Sequence, residues 1–231
     1  MTHKFAQYVI LAVGALGLSA LPAAADSPCP SEALSLYLVS GFSCSVGDLD
    51  FSDFSYNTGG TNPIAASSVG VAPVTSPDGP GLNFDPAAQI SGSNLSQDIE
   101  VGFTVTATDG SLISDVYIAF GNVGPITGDG LATYNEQFCN LAGTCSLDVE
   151  DPGSAKSKDI LLTNTALGGP VSSLVITKDL MLSTGASGSA SVSGFLNEYS
   201  EVPEPRGVSI LMGFGLLAGF VFFKRRQVSQ N

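Results

Sequence analysis

The feature that most limits what this chain can fold into is a two-residue alternation of apolar and polar side chains, in short runs broken by turn formers. Residues 99–106 read Ile-Glu-Val-Gly-Phe-Thr-Val-Thr, with Val101, Phe103 and Val105 at period two and therefore on one face of a strand. Asp109-Gly110 follows, a favoured hairpin turn, and residues 112–120 (LISDVYIAF) read as the returning strand. Further strand candidates lie at 34–40, 51–56, 68–74, 146–149, 159–163, 172–182 and 189–196, with Gly, Pro and Asn clusters such as 57–63 and 76–81 between them. Phe51, Phe54 and Tyr56 read as core. Residues 184–193 (TGASGSASVS) are low in complexity, yet small residues alternating up to Phe195 and Leu196 suit a last strand better than a linker. Nothing in this region carries a sustained, capped 3.6-residue period, and no tandem repeat points to a solenoid. The expectation is an all-β fold, an antiparallel β-sandwich of jelly-roll-like type, over residues 26–197.

Charge divides the chain into physically different pieces. Residues 26–201 hold twenty of the 21 Asp and Glu and only Lys156, Lys158 and Lys178, a formal charge of 3 minus 20, or −17. Such a surface repels nucleic acid and anionic lipid. The other basic residues sit at the two ends. Residues 1–25 begin with Lys4, continue through an apolar run from Tyr8 to Leu21 and finish Ala23-Ala24-Ala25, the three parts of a secretory signal peptide. At the other end Gly207 to Phe223 is uncharged and mostly apolar. At 1.5 Å per residue it would span about 25 Å, near the lower limit for a transmembrane helix, which is how it reads. Lys224, Arg225 and Arg226 follow directly. The positive-inside rule keeps them, with the rest of the 224–231 tail, in the cytoplasm and puts the acidic domain on the far side. Residues 198–206 read as a linker carrying Pro203-Glu204-Pro205, since proline cannot donate helix hydrogen bonds and holds the segment extended.

Val202-Pro203-Glu204-Pro205, a short Gly-rich apolar helix and the basic Lys224-Arg225-Arg226 cluster, in that order within thirty residues of the C-terminus, resemble the PEP-CTERM sorting signal of Gram-negative bacteria. The resemblance covers residues 202–226. It implies that Pro203, Glu204 and Pro205 are recognised by an exosortase-type membrane protease, that the basic residues hold the helix in place, and that the protein passes to the cell surface or extracellular matrix. A second stretch, Gly41-Phe42-Ser43-Cys44-Ser45-Val46-Gly47-Asp48 with residues 51–56, is similar to the start of many exported proteins bearing this same tail. It implies a shared β-domain and a disulfide at Cys44, and no activity.

Four cysteines, Cys29, Cys44, Cys139 and Cys145, all lie behind the signal, which favours two disulfides. Three connectivities are open. Pairing near neighbours, Cys29 with Cys44 and Cys139 with Cys145, closes the loops at least entropic cost. The only histidine is His3, so residues 26–231 contain no Ser-His-Asp or Cys-His arrangement and no histidine-ligated metal. No metal or cofactor is expected. Asp48, Asp50 and Asp53 offer hard oxygens suited to calcium but lack EF-hand spacing, and read as a solvated edge. Gly128-Asp129-Gly130 reads as a turn. The functional expectation is a structural or binding component of the envelope or matrix, with extracellular polysaccharide as a partner, and not an enzyme. The alternative is a secreted carbohydrate-active enzyme working through two carboxylates.

Overall fold

The computed structural model describes residues 27–120, 123–150 and 157–203. The 1–25 segment, Glu204, Pro205, the 207–223 segment and Lys224, Arg225 and Arg226 lie outside the described residues. After a two-residue strand β1 (Glu32–Ala33) and one helical turn α1 (Leu34–Tyr37), the hairpin of β2 (Ser43–Val46) and β3 (Leu49–Gly60) leads to a second, β4 (Gly70–Ser76) and β5 (Gly79–Asp85). A short β6 (Ala88–Gly92) precedes two long strands, β7 (Ser96–Ala107) and β8 (Ser111–Phe120). Next come β9 (Thr127–Gly128), the hairpin β10 (Leu131–Asn140) and β11 (Cys145–Glu150), and β12 (Ser157–Leu161). The last three are β13 (Ser173–Ser183), β14 (Gly188–Val192) and β15 (Phe195–Pro203).

These strands form two six-stranded sheets, in the orders β11-β10-β13-β7-β3-β2 and β1-β4-β5-β15-β8-β12, and a small sheet β6-β14-β9. The strand ladders are antiparallel, as the alternation predicts. The two large sheets stack face to face. Phe51 of β3 meets Tyr199 of β15, Phe103 of β7 meets Phe84 of β5, and Tyr134 of β10 meets Phe195 of β15, with ring centroids 5.7–6.2 Å apart. The core is this layer of inward-facing residues, with Val101, Phe103 and Val105 in it as their spacing requires.

Four expectations are corrected. Strands β7 and β8 are not a hairpin: they are interior strands of opposite sheets, and the Asp109-Gly110 turn carries the chain across one end of the sandwich. Each strand has its own apolar face. Packing those faces against each other buries both, whereas side-by-side pairing would leave the sheet one-layered. Residues 34–40 form a helical turn, because Leu34 and Tyr37 are both buried three residues apart, which a strand would send to opposite faces. The Tyr37 ring packs on Phe42 and Phe54, and its hydroxyl donates to the Pro30 carbonyl. Residues 189–196 divide into β14 and β15. Finally, 198–203 is not linker: β15 continues through it and pairs with β8 as far as Pro203 opposite Ser111.

Two backbone features set the packing. Phe51 and Phe54 are three apart, so a regular strand cannot turn both inward. Asp53, at φ 55°, forms a bulge that shifts the register between Ser52 and Ser55 and returns Phe54 and Tyr56 to the core side. On the facing sheet, a Cβ at Gly81 would lie 1.8 Å from the Asn197 carbonyl oxygen, so β5 can approach β15 only because position 81 is glycine.

Both disulfides are formed as loop closure favours, Cys29–Cys44 and Cys139–Cys145. The first ties the N-terminal segment to β2. The second staples the β10–β11 hairpin, where the two residues are direct cross-strand partners.

Candidate functional site

The inward positions of β10 run Ala132, Tyr134, Glu136, Phe138, those of β13 run Leu174, Ile176, Lys178, Leu180, Leu182, and those at the start of β15 run Phe195, Asn197, Tyr199. Each strand thus turns one polar side chain into the core on the same phase as its apolar neighbours. Glu136, Lys178 and Asn197 all have 0% exposure. Glu136 and Lys178 are cross-strand partners on one sheet, and Asn197 comes from the other.

These groups converge on one carboxylate. Lys178 Nζ donates to Glu136 Oε2 at 3.2 Å and to the Tyr134 hydroxyl at 3.1 Å. The Tyr134 hydroxyl donates to the same Oε2, and Asn197 Nδ2 donates to Glu136 Oε1. Three rings enclose the amine, with Nζ 5.4 Å from the centroid of Phe195, 5.7 Å from Tyr134 and 5.9 Å from Phe84. Burial pulls the Lys178 amine down to about 8, against the upward pull of the Glu136 charge and hydrogen bond. Asn197 Oδ1 is buried without a hydrogen-bond partner, beside the buried Tyr199 hydroxyl. Burial first, and the Glu136 charge second, raise that hydroxyl well above the ordinary tyrosine range.

Carboxylates also meet at the surface. Asp48 before β3, Asp109 after β7 and Glu201 of β15 place carboxylate oxygens within 4.8 Å of one another, close enough to offer to one hard cation. Of the calcium candidates read from the sequence, only Asp48 takes part; Asp53 sits at the bulge instead. Ser111 holds the cluster together, its backbone N–H donating to Asp109 Oδ1 at 2.8 Å and its hydroxyl to Glu201 Oε1. Partial burial, followed by the neighbouring Asp48 and Asp109, pushes the Glu201 carboxyl up to about 7, while the Ser111 hydrogen bonds hold Asp109 below the usual range. On β13, Asp179 is raised to about 6 by burial and by Asp98. Asp129 occupies a turn, as expected, its N–H bonded to Ser187 O.

Where β11 and β12 edge the two sheets, a groove of about 340 Å³ opens, lined by Phe138, Leu147, Lys158, Asp159, Leu161 and Asn164 among others. Leu147 and Leu161 are exposed there, and Asp159 is raised by desolvation and by Asp115 and Asp78. Of the sorting residues, Pro203 is exposed at the end of β15. Among the described residues no helix is long and apolar enough to cross a membrane.

Fold and site together define an antiparallel β-sandwich with two disulfides and an ion pair in its core. No family model matches the chain, and no curated protein matches it. Solved structures with a partly similar trace include TmCBM61 in complex with β-1,4-galactotriose, at 11% identity over 63% of this chain and 88% of that one, TM-score 0.30. Another is the enzymatically active domain of bacteriophage CBA120 tailspike protein 4, at 10% identity over 64% of this chain and 20% of that one, TM-score 0.30. A third comes from work on the promiscuous specificity of carbohydrate-binding modules from the β-sandwich superfamily, at 9% identity over 76% and 63%, TM-score 0.29.

Proposed function

We propose that this is an exported protein carrying a PEP-CTERM sorting tail, delivered through an exosortase-type membrane protease to the cell surface or extracellular matrix, where the sandwich serves as a binding or structural component. The observation that carries the reading is the pairing of all four cysteines, the state of an oxidising compartment. The 1–25 signal and the 207–223 anchor in the sequence supply the route. Strand β15 ends at Pro203, the first residue of the motif, which is exposed there, and in the sequence the apolar 207–223 segment follows a few residues later.

The finer reading of the fold is a jelly roll. Eight strands follow the orders β5-β15-β8-β12 and β7-β13-β10-β11, crossing repeatedly between the sheets, and β1, β4, β2 and β3 extend the two layers. Binding, not catalysis, is the role proposed. The groove between β11 and β12 combines exposed leucines with Lys158, Asp159 and Asn164, a mixture suited to a neutral polymer such as a matrix polysaccharide. A carbohydrate-active enzyme is the second reading. It is favoured by the Asp109 and Glu201 pair, in which one carboxyl is held above and one below its ordinary range.

The deciding experiment is the intact mass and C-terminal peptide of the native protein, from membrane and extracellular fractions separately. A released species ending near residues 203–205 is expected. A full-length tail found only in membranes would sink the processing step. Leu161→Asp should then weaken sedimentation of the released protein with matrix polysaccharide at least tenfold, and turnover of that polymer would favour the enzyme.

A further inference from the structure

The buried cluster holds, at one place, the parts of a condensation reaction. A primary amine, a primary carboxamide and a carboxyl group are each fully buried, and the carboxyl bridges the other two by hydrogen bonds to its separate oxygens. As a purely structural feature the arrangement is costly, since a buried ion pair rarely improves on apolar residues of similar volume. It is also incompletely satisfied, since Asn197 Oδ1 has no partner. We propose that Lys178 and Asn197 become joined by an intramolecular amide bond between Nζ and Cγ, formed by the folded protein itself, with Glu136 as proton carrier and ammonia as leaving group.

The chemistry balances without any co-reactant. A proton passes from the Lys178 ammonium to the Glu136 carboxylate across their hydrogen bond, leaving a carboxylic acid and a neutral amine, the form of the amine that burial favours. Burial has already brought the amine down to about 8. A half-turn of the Asn197 amide exchanges Nδ2 and Oδ1 and sets the carbonyl oxygen on the carboxylic proton, where it is polarised. Nζ adds to Cγ. Glu136 accepts a proton from Nζ and passes one to Nδ2, the Cγ–Nδ2 bond breaks, and ammonia departs. Glu136 ends as the acid that it was when attack began, and nothing is oxidised or reduced. The rings of Phe84, Tyr134 and Phe195 shield the amine from water. Fixing both reactants on one carboxylate supplies the proximity that an otherwise slow amide exchange needs.

The location gives the bond a purpose. Lys178 lies on β13, between β10 and β7, and Asn197 on β15, between β5 and β8. The cross-link would covalently join the central strands of the two sheets through the core, a staple immune to the reductants that open disulfides.

The test is peptide mass spectrometry of the purified full-length chain after reduction and trypsin digestion. Trypsin should fail to cut after Lys178, and a second protease acting between residues 178 and 197 should leave two segments still joined, together about 17 Da lighter than their summed sequence masses, one ammonia. Normal cleavage after Lys178 with unshifted masses would overturn the proposal. So would loss of ammonia confined to a peptide holding Asn197 alone, which is a backbone succinimide. Glu136→Gln, close in shape, should abolish the joined species, and its full retention would overturn the role given to Glu136. The wild-type measurement stands whether or not any variant folds.

Discussion

Glu136 is the residue on which the core depends most. Glu136→Ala leaves the Lys178 amine buried with no carboxylate, and breaking a buried pair in this way costs about 3–5 kcal/mol. Urea unfolding should show that loss when Glu136→Ala is compared with the double change Glu136→Leu with Lys178→Met, which leaves no buried charge; neither variant can form the cross-link, so the comparison isolates the ion pair. Glu201 acts in the opposite sense. Its carboxyl titrates at about 7 in the folded protein, above the usual carboxylate value, so the folded state takes up the proton first. Stability from this group therefore grows as pH falls from above 7 towards the unfolded carboxylate range, and is absent at higher pH. Thermal unfolding at pH 5 and pH 8 should show a melting temperature higher by a few degrees at the lower pH, reduced by solvent screening because the group is only partly buried. Glu201→Gln should remove that part of the pH dependence. Lys178 stands in a strand whose alternation is plain, so its inward phase was legible, whereas the strand of Glu136 was not expected and Asn197 lay beyond the last strand read from the sequence. The spacing does not reveal that three polar residues on three different strands meet.

At the level of elements, β3 shows how one residue governs a face. Asp53 is the inserted residue of its bulge, and its removal would restore strict alternation from Phe51 onward. Phe54 would then stand two residues after Phe51, so Phe51, Phe54 and Tyr56 would share the inward face of a regular strand with no bulge. Deletion of Asp53 should therefore be tolerated, leaving a compact protein with native-like near-ultraviolet circular dichroism, and Asp53→Gly, which accepts positive φ without strain, should be neutral or slightly stabilising. Strands β7 and β13 were legible because their apolar faces alternate over more than ten residues, whereas β10 was not among the strands expected, since Glu136 interrupts its apolar phase. Residues 34–40 were not, since a single helical turn has too few residues to establish a period. The β7–β8 connection failed for another reason: a local turn signal records that the chain reverses, not whether the returning strand pairs beside the first or stacks over it.

For the whole molecule, stability is divided between the two-sheet core and the covalent closures. Loss of the Cys29–Cys44 bond, which closes a separation of 15 residues, should cost about 3 kcal/mol in the chain-entropy picture. Loss of Cys139–Cys145, at a separation of 6, should cost less. Chemical denaturation of the two paired Cys→Ser variants would rank them, and equal losses would mean that native contacts, not loop entropy, dominate. The sequence by itself determined the all-β class and the charge division between an acidic middle and basic ends, and it favoured the two nearest-neighbour disulfides. Those properties follow from local periodicity, short loop closure and composition. Only the tertiary structure decided which strands share a sheet, that β15 runs on through Pro203, that Asp48 joins Asp109 and Glu201, and that an amine, an amide and a carboxyl from two sheets share one dry site. Each of those is a meeting of residues far apart in the chain, settled by how two apolar faces stack, and no local pattern encodes it.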